Sequence, residues 1–206
     1  LRAIKALSSR RIDGIIFVES FTRSSEEVAE LEDKPHVFVH RLFDSLTPGS
    51  VVPDERYGAK LAVNHLLRLG HRRMAFINGL ADWDATANRL RGYEEALTAA
   101  GIAVEPALIK DGDWGVKSGY LAMRGLIEEG TAPTAVFAGN DLMALGAIYA
   151  AQEMGLRVPD DLAVVGYDDR DFAGYVRPSI TTIQMPCEEM GRKSAEVLLN
   201  IVHGQE

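Results

Sequence analysis

The stretch "PTAVFAGNDLMALGAIYAAQEMGLRVPDDLAVVGYDD" (residues 133–169) decides the fold. It opens on an apolar run, Ala135–Ala138, passes through a helical stretch that closes on Gly155, and returns to an apolar run, Leu162–Gly166. Short β-branched runs without polar alternation read as strands buried on both faces, which is the signature of a parallel sheet covered by helices. Parallel neighbours need a crossover, and the intervening helix supplies it in the right-handed sense.

Working outward, the same alternation repeats. Further strands are expected at Ile12–Val18, Val37–Val39, Met74–Ile77, Ala107–Ile109 and Ile180–Ile183. The helical stretches between them end on Gly70, Gly101, Gly130, Gly155 and Gly204. Glycine reaches the left-handed stop conformation without a Cβ clash. Ser24 with Glu27 reads as a capping box, and Asp54, Asp84 and Asp141 as caps of later helices. The expected class is α/β, doubly wound, with parallel strands. Periodicity alone leaves open whether they form one sheet or two.

The 206 residues, 47% hydrophobic and 25% charged, fit a soluble globular protein. A formal charge of −8 argues against this segment gripping a phosphate backbone, so any DNA reader must lie elsewhere. Cys187 is the single cysteine, which removes intrachain disulfides and cysteine-built zinc sites and makes a cytoplasmic location the default. No apolar run approaches the ~20 residues of a bilayer span, so no membrane partner is expected. The chain opens at Leu1, inside an apparent amphipathic helix (Leu1, Ile4, Leu7) without a cap, and the expectation is that sequence precedes it.

Ligands of such sheets bind beyond the carboxyl ends of the strands. Those ends offer His40 and Arg41, Asn78, Asp111, Asp113 and Trp114, Asn140 and Asp141, and Asp168 and Asp169. Trp83 and Trp114, the only tryptophans, each follow an aspartate. A flat apolar face beside hydrogen-bond acceptors suits a pyranose or a heterocycle, although either indole could simply seal a domain edge. Arg89 sits one turn into a helix, where its fork could grip vicinal hydroxyls, a carboxylate or a phosphate, or pair with Asp84 or Asp168. Glycoside hydrolysis needs two carboxylates across a cleft, whereas neighbours such as Asp168 and Asp169 point apart. The "DGD" at residues 111–113 lacks the remaining spacing of a calcium loop, and no phosphate-loop, nucleophile-elbow or zinc-protease motif is present. No catalytic residue, metal or cofactor is therefore expected.

Six segments carry a resemblance: "DGIIFV" (13–18), "DERYGAKLAVNHLLRLGHRRMAFING" (54–79), "RLRGYEEALTAAGI" (89–102), "GDWGVKSGYLAM" (112–123), the opening stretch, and "RPSITTIQMPCEEMGRKSAEVLL" (177–199). Together they resemble the effector-binding domain of LacI/GalR transcriptional regulators. The resemblance implies a periplasmic-binding-protein-like type I fold with two doubly wound parallel-sheet subdomains and a ligand cleft between them. One subdomain would comprise residues 1–79 plus 183–206, lacking its N-terminal part, and the other 80–182. A helix-turn-helix headpiece, absent from this chain, would contact operator DNA. The implied partners are a small, sugar-like effector and a second copy in a homodimer, with the helix at 142–151 and Tyr175 as candidate dimer surfaces or ordinary core. By the same resemblance Arg89 grips the effector, Trp114 stacks on it, Asn140 and Asp168 hydrogen-bond to it, and Asp169 organises the loop. His40 stands where the pattern usually has Asp, and Ala85 where Ser or Thr often precedes the arginine. Trp83 and His40 complete the expected site. A transporter's sugar-binding protein, or a carbohydrate-active enzyme, would be the other readings.

Overall fold

The computed structural model describes residues 12–24, 34–42 and 49–204. The expected helix at Leu1–Leu7 and the capping partner Glu27 lie outside them, and Ser24 ends a strand instead. The chain groups into two units, described separately below.

The smaller unit holds the described residues up to Pro53 and from Pro186 onward. Its strands β1 (Ile15–Ser24), β2 (His36–Leu42) and β3 (Ser50–Val51) form a parallel sheet in the order β1-β2-β3. Helix α5 (Cys187–Val202) packs on this sheet. The approach is close enough that a Cβ on Gly14 would stand 2.7 Å from Leu198. Ile15 and Phe38 form the buried centre, with the Phe17 ring stacked on Phe38 at 5.1 Å.

The larger unit, Asp54–Met185, is built in chain order from α1 (Glu55–Arg68), β4 (Met74–Asn78), α2 (Asp84–Ala99), β5 (Ile109–Asp111), α3 (Val116–Glu128), β6 (Ala135–Ala138), α4 (Asp141–Glu153), β7 (Ala163–Asp168) and β8 (Thr181–Gln184). The five strands are parallel in the order β5-β4-β6-β7-β8. Strand alternation sends Met74, Phe76, Phe137 and Val165 to one core with α1 and α2, and Ala75, Ile77, Val136 and Val164 to the other with α3 and α4. This is the doubly wound arrangement that the alternating runs predict. Phe76 lies between the rings of Tyr93 and Phe137, at 5.1 and 4.8 Å.

The first division falls at Pro53/Asp54, well before the expected residue 80, while the second, at Met185/Pro186, lies close to the expected 182/183. Strand β4 pairs with β5 and β6, which draws residues 54–79 into the larger unit, and β8 stays with it by pairing with β7. The run Ala107–Ile109 also differs from expectation. Pro106 opens a 3-10 turn through Leu108, and the strand starts at Ile109.

All five glycine stops have positive φ and open space around the missing Cβ. Asp54 caps α1 by accepting from the Tyr57 N–H at 2.8 Å. The other two expected caps shift by one residue: Trp83 precedes α2, with Asp84 inside its first turn, and Asn140, not Asp141, accepts from the Met143 N–H at the start of α4. Most of α4 is core, with Tyr149 half-exposed, whereas Tyr175 is 82% exposed.

Candidate functional site

The strand order fixes where a site can form in the larger unit. From β4 the chain moves outward to β5, then crosses back to β6 on the other side of β4. The loops after β4 and β6 therefore diverge and leave a crevice at the carboxyl ends of these two strands. Gly79 and Gly139 follow those strands, and the Trp114 indole lies over both. A Cβ on Gly79 would sit 1.8 Å from the ring and one on Gly139 3.1 Å from it. Trp114 reaches this position from the β5–α3 loop with φ +69, and its carbonyl accepts from Asn140 Nδ2 at 3.0 Å. The Trp83 ring lies 5.4 Å from it at 34°. Trp114 Nε1 is buried and finds no acceptor among the described residues.

Arg89 comes up beside the indole from α2, 4% exposed. Its Nε donates to Glu55 Oε2 at 2.7 Å, its Nη1 donates to the Gly139 carbonyl, and its Nη2 stands 3.9 Å from Asp168 Oδ1. The guanidinium lies over the Tyr167 ring at 3.8 Å and 5.3 Å from the centre of the Trp114 ring. Burial works against its charge, but Glu55, Tyr167 and Asp168 more than offset that and raise its pKa. Glu55 is itself 3% exposed at the start of α1. A buried pair of this kind is held by mutual neutralisation, and removing either partner leaves an uncompensated charge.

Asp168 ends β7 with φ +106, and Asp169 follows at φ +57. A network fixes this turn. The fully buried Asp141 accepts from the Arg170 N–H at 2.8 Å and from the Thr182 hydroxyl at 2.5 Å. The Asp169 N–H donates to Thr182 Oγ1, and its carboxylate accepts from Gln184 Nε2. A Cβ on Gly166 would stand 2.3 Å from Asp141 Oδ1, so the glycine of "VVGYDD" is what lets the acid in. Besides the 3.9 Å approach of Arg89, the Asp168 carboxylate keeps a loose contact from Arg170 Nε at 3.3 Å. Burial pushes the Asp168 and Asp141 carboxyls above the ordinary range, against the pull of Arg89 on the first and of the Thr182 hydroxyl on the second.

The structure thus brings together Arg89, Trp114, Asn140, Asp168 and Trp83. Both polar ends of the Asn140 amide are used by Trp114 and Met143, so this residue holds the crevice wall. His40 lies within β2 of the smaller unit, with φ +63, and not at a strand end. Arg89 pairs with Glu55 at hydrogen-bond distance, with Asp168 farther away. Glu55 and Tyr167 are not evident from the sequence as site residues, and Asp141, which stands among the strand-end residues, reads there first as a helix cap. Among the described residues, no group of His, Cys, Asp or Glu is arranged to hold a metal, and no helix is long and apolar enough to cross a membrane.

Residues 63–206 match the profile of the periplasmic binding protein-like domain family. The chain is 37% identical over 205 residues to the transcriptional repressor CytR of Escherichia coli, covering 98% of this chain and 60% of that protein. It is 33% identical over 196 residues to the ribose operon repressor of Haemophilus influenzae, covering 95% and 59%. The chain therefore spans about 60% of the length of these curated relatives. Its fold matches a crystal structure of a sugar-binding transcriptional regulator of the LacI family from Escherichia coli, complexed with phosphate. That match has a TM-score of 0.86 at 32% identity and covers all of this chain and 74% of that one.

Proposed function

We propose that this chain, which belongs to the LacI family and carries its periplasmic-binding-protein-like domain, is the effector-sensing part of a cytoplasmic transcriptional regulator. The observation that carries this reading is the convergence of Arg89, Trp114 and Asp168 on the switch point between β4 and β6. A flat guest places one face on the Trp114 indole, while hydroxyls at its edge donate to Asp168 and accept from Arg89 Nη2. Among the described residues there, no side chain is poised as a nucleophile: the arginine is ion-paired, the acids serve as acceptors, and the guest leaves unchanged.

Regulation follows from linkage. The protein occurs as a dimer with a DNA-binding headpiece on each protomer, Tyr175 contributing to the dimer surface, and operator half-sites lie about one helical turn, ~34 Å, apart. The effector shifts the spacing of the headpieces only through its different affinity for two states, typically ~1–3 kcal/mol of coupling.

Calorimetric titration of the full-length protein with sugars and nucleosides tests this reading. At least one binds without turnover, and Trp114→Ala and Asp168→Asn each weaken it by at least ~10-fold, ~1.4 kcal/mol. Equal affinity in both variants refutes the site, and release of product refutes binding without chemistry.

A further inference from the structure

The inference that follows rests on the reading of Arg89 and Asp168 as effector contacts. We propose that Glu55 sets the charge class of the guest: by matching Arg89, it reserves the site for a neutral, hydroxyl-bearing molecule and shuts out phosphorylated or carboxylated counterparts.

Among the described residues, Arg89 is the one buried cation. A guanidinium recognises an anion best through two parallel N–H groups on one edge. Here Nε donates to Glu55 and Nη1 to the Gly139 carbonyl, so each edge of the fork already has one of its two nitrogens engaged. What remains is Nη2, a donor, facing Asp168 Oδ1, an acceptor, across 3.9 Å. That gap is too long for a direct hydrogen bond, yet an oxygen placed about 2.8 Å from each atom spans it. The bridging atom must accept from one side and donate to the other. A hydroxyl does both, whereas an ionised phosphate or carboxylate oxygen only accepts and meets Asp168 as a like charge.

The surrounding charges point the same way. Glu55 and Asp168 flank a single guanidinium, and buried Asp141 stands behind the turn that carries Asp168. Arg170, the other cation on Asp168, has its side chain 52% exposed and is largely screened by water. An entering anion would find the buried positive charge already neutralised and two carboxylates beside it.

The test is calorimetry on the full-length protein with inorganic phosphate, and with D-ribose, D-glucose and cytidine, each beside its monophosphate. The wild type gives no saturable heat with inorganic phosphate up to about 10 mM, and in every pair that binds, the neutral member is at least ~10-fold tighter. Glu55→Gln, which keeps the shape and an acceptor but removes the charge, gains phosphate binding at least ~10-fold over wild type, while Glu55→Asp does not. Wild-type binding of phosphate, a phosphorylated member as tight as its partner, or a Glu55→Gln protein folded by circular dichroism with no gain in phosphate affinity each overturns the proposal. Should Glu55→Gln fail to fold, the wild-type phosphate and pair titrations decide it alone. Anion binding that is lost in Trp114→Ala overturns the charge class and leaves the effector site standing. Binding of neutral members that is indifferent to Trp114→Ala removes the site itself.

Discussion

Strand β7 has an aspartate near each end, and the fold pushes the two in opposite directions. Asp161, just before its amino end, is held down to about 2, first by the hydrogen bond from the Arg157 side chain. Asp168, at its carboxyl end, is pushed up, first by burial. The contrast extends across the sheet. At the amino ends, ion pairs such as Arg73–Glu105 are exposed, the turns close on glycines with free space around them, and a pocket of about 360 Å³ is lined mainly by Met123, Ile127, Pro133 and Leu156. At the carboxyl ends, Trp114, Asp168 and Asp169 adopt positive φ, a buried arginine is ion-paired, and an indole N–H lacks an acceptor among the described residues. Among the described non-glycine residues of this unit, the amino ends show one left-handed backbone, Ala132 at φ +47, against three at the carboxyl ends, and departures of this kind gather where a protein binds or reacts.

The largest contrast lies in the arginines. Arg89→Ala strands Glu55 in the core and lowers stability by ~3–5 kcal/mol, while Arg73→Ala, which opens an exposed pair at the amino ends, costs under ~1 kcal/mol. Urea unfolding at neutral pH measures both, and similar losses would mean that the two ends are energetically alike.

The glycines separate stability from binding. Gly79→Ala drives a methyl into the Trp114 ring, costs ~1–3 kcal/mol and weakens guest affinity at least ~10-fold. Gly130→Ala, at φ +69 with free space around it, costs ~1–2 kcal/mol through backbone strain and leaves guest affinity unchanged. Calorimetry on the two variants checks this, and an undiminished affinity in Gly79→Ala would detach the indole from the site.

The smallest expected effect is in pH dependence, and its sign is opposite at the two ends. The folded pKa of Asp161 is below its unfolded value, so its stabilisation is present above pH 4 and disappears as pH falls toward 2. Asp161→Asn is therefore less stable than wild type near neutrality, and the gap closes on acidification. The folded pKa of Asp168 is raised, so folding disfavours its charge. Relative to wild type, Asp168→Asn gains stability as pH rises from the ordinary carboxylate value of 3.8 through the raised folded one. Urea midpoints measured from pH 3 to 7 read both slopes, and slopes of the same sign would contradict the burial difference.

The regular half of this molecule is legible in its sequence. Buried runs such as Ala135–Ala138 and the glycine stops are local signals, since a strand covered on both faces has no polar alternation and a left-handed stop selects glycine. Strand ends can be located the same way, which is why Trp114 and Asp168 stand out. Glu55 does not. It follows the capping Asp54 in the first turn of α1, where an acid already suits the helix dipole, and its partner Arg89 is 34 residues away. Asp141 is hidden for a similar reason: it reads as a cap, but Asn140 does the capping and Asp141 is buried under a turn formed 27 to 29 residues later. The first boundary between the units differs from the expected one because strand pairing, not the run of elements along the chain, assigns β4 to its sheet.

The central claim is that the carboxyl ends of β4 to β7 hold a small polar guest that the protein does not alter. A crystal structure of the full-length protein with a bound sugar or nucleoside tests it most directly. The account predicts density for an intact guest with one face on Trp114 and a hydroxyl within hydrogen-bond distance of both Arg89 Nη2 and Asp168. A guest seated at the amino-end pocket, or one that touches neither Trp114 nor Asp168, would contradict it.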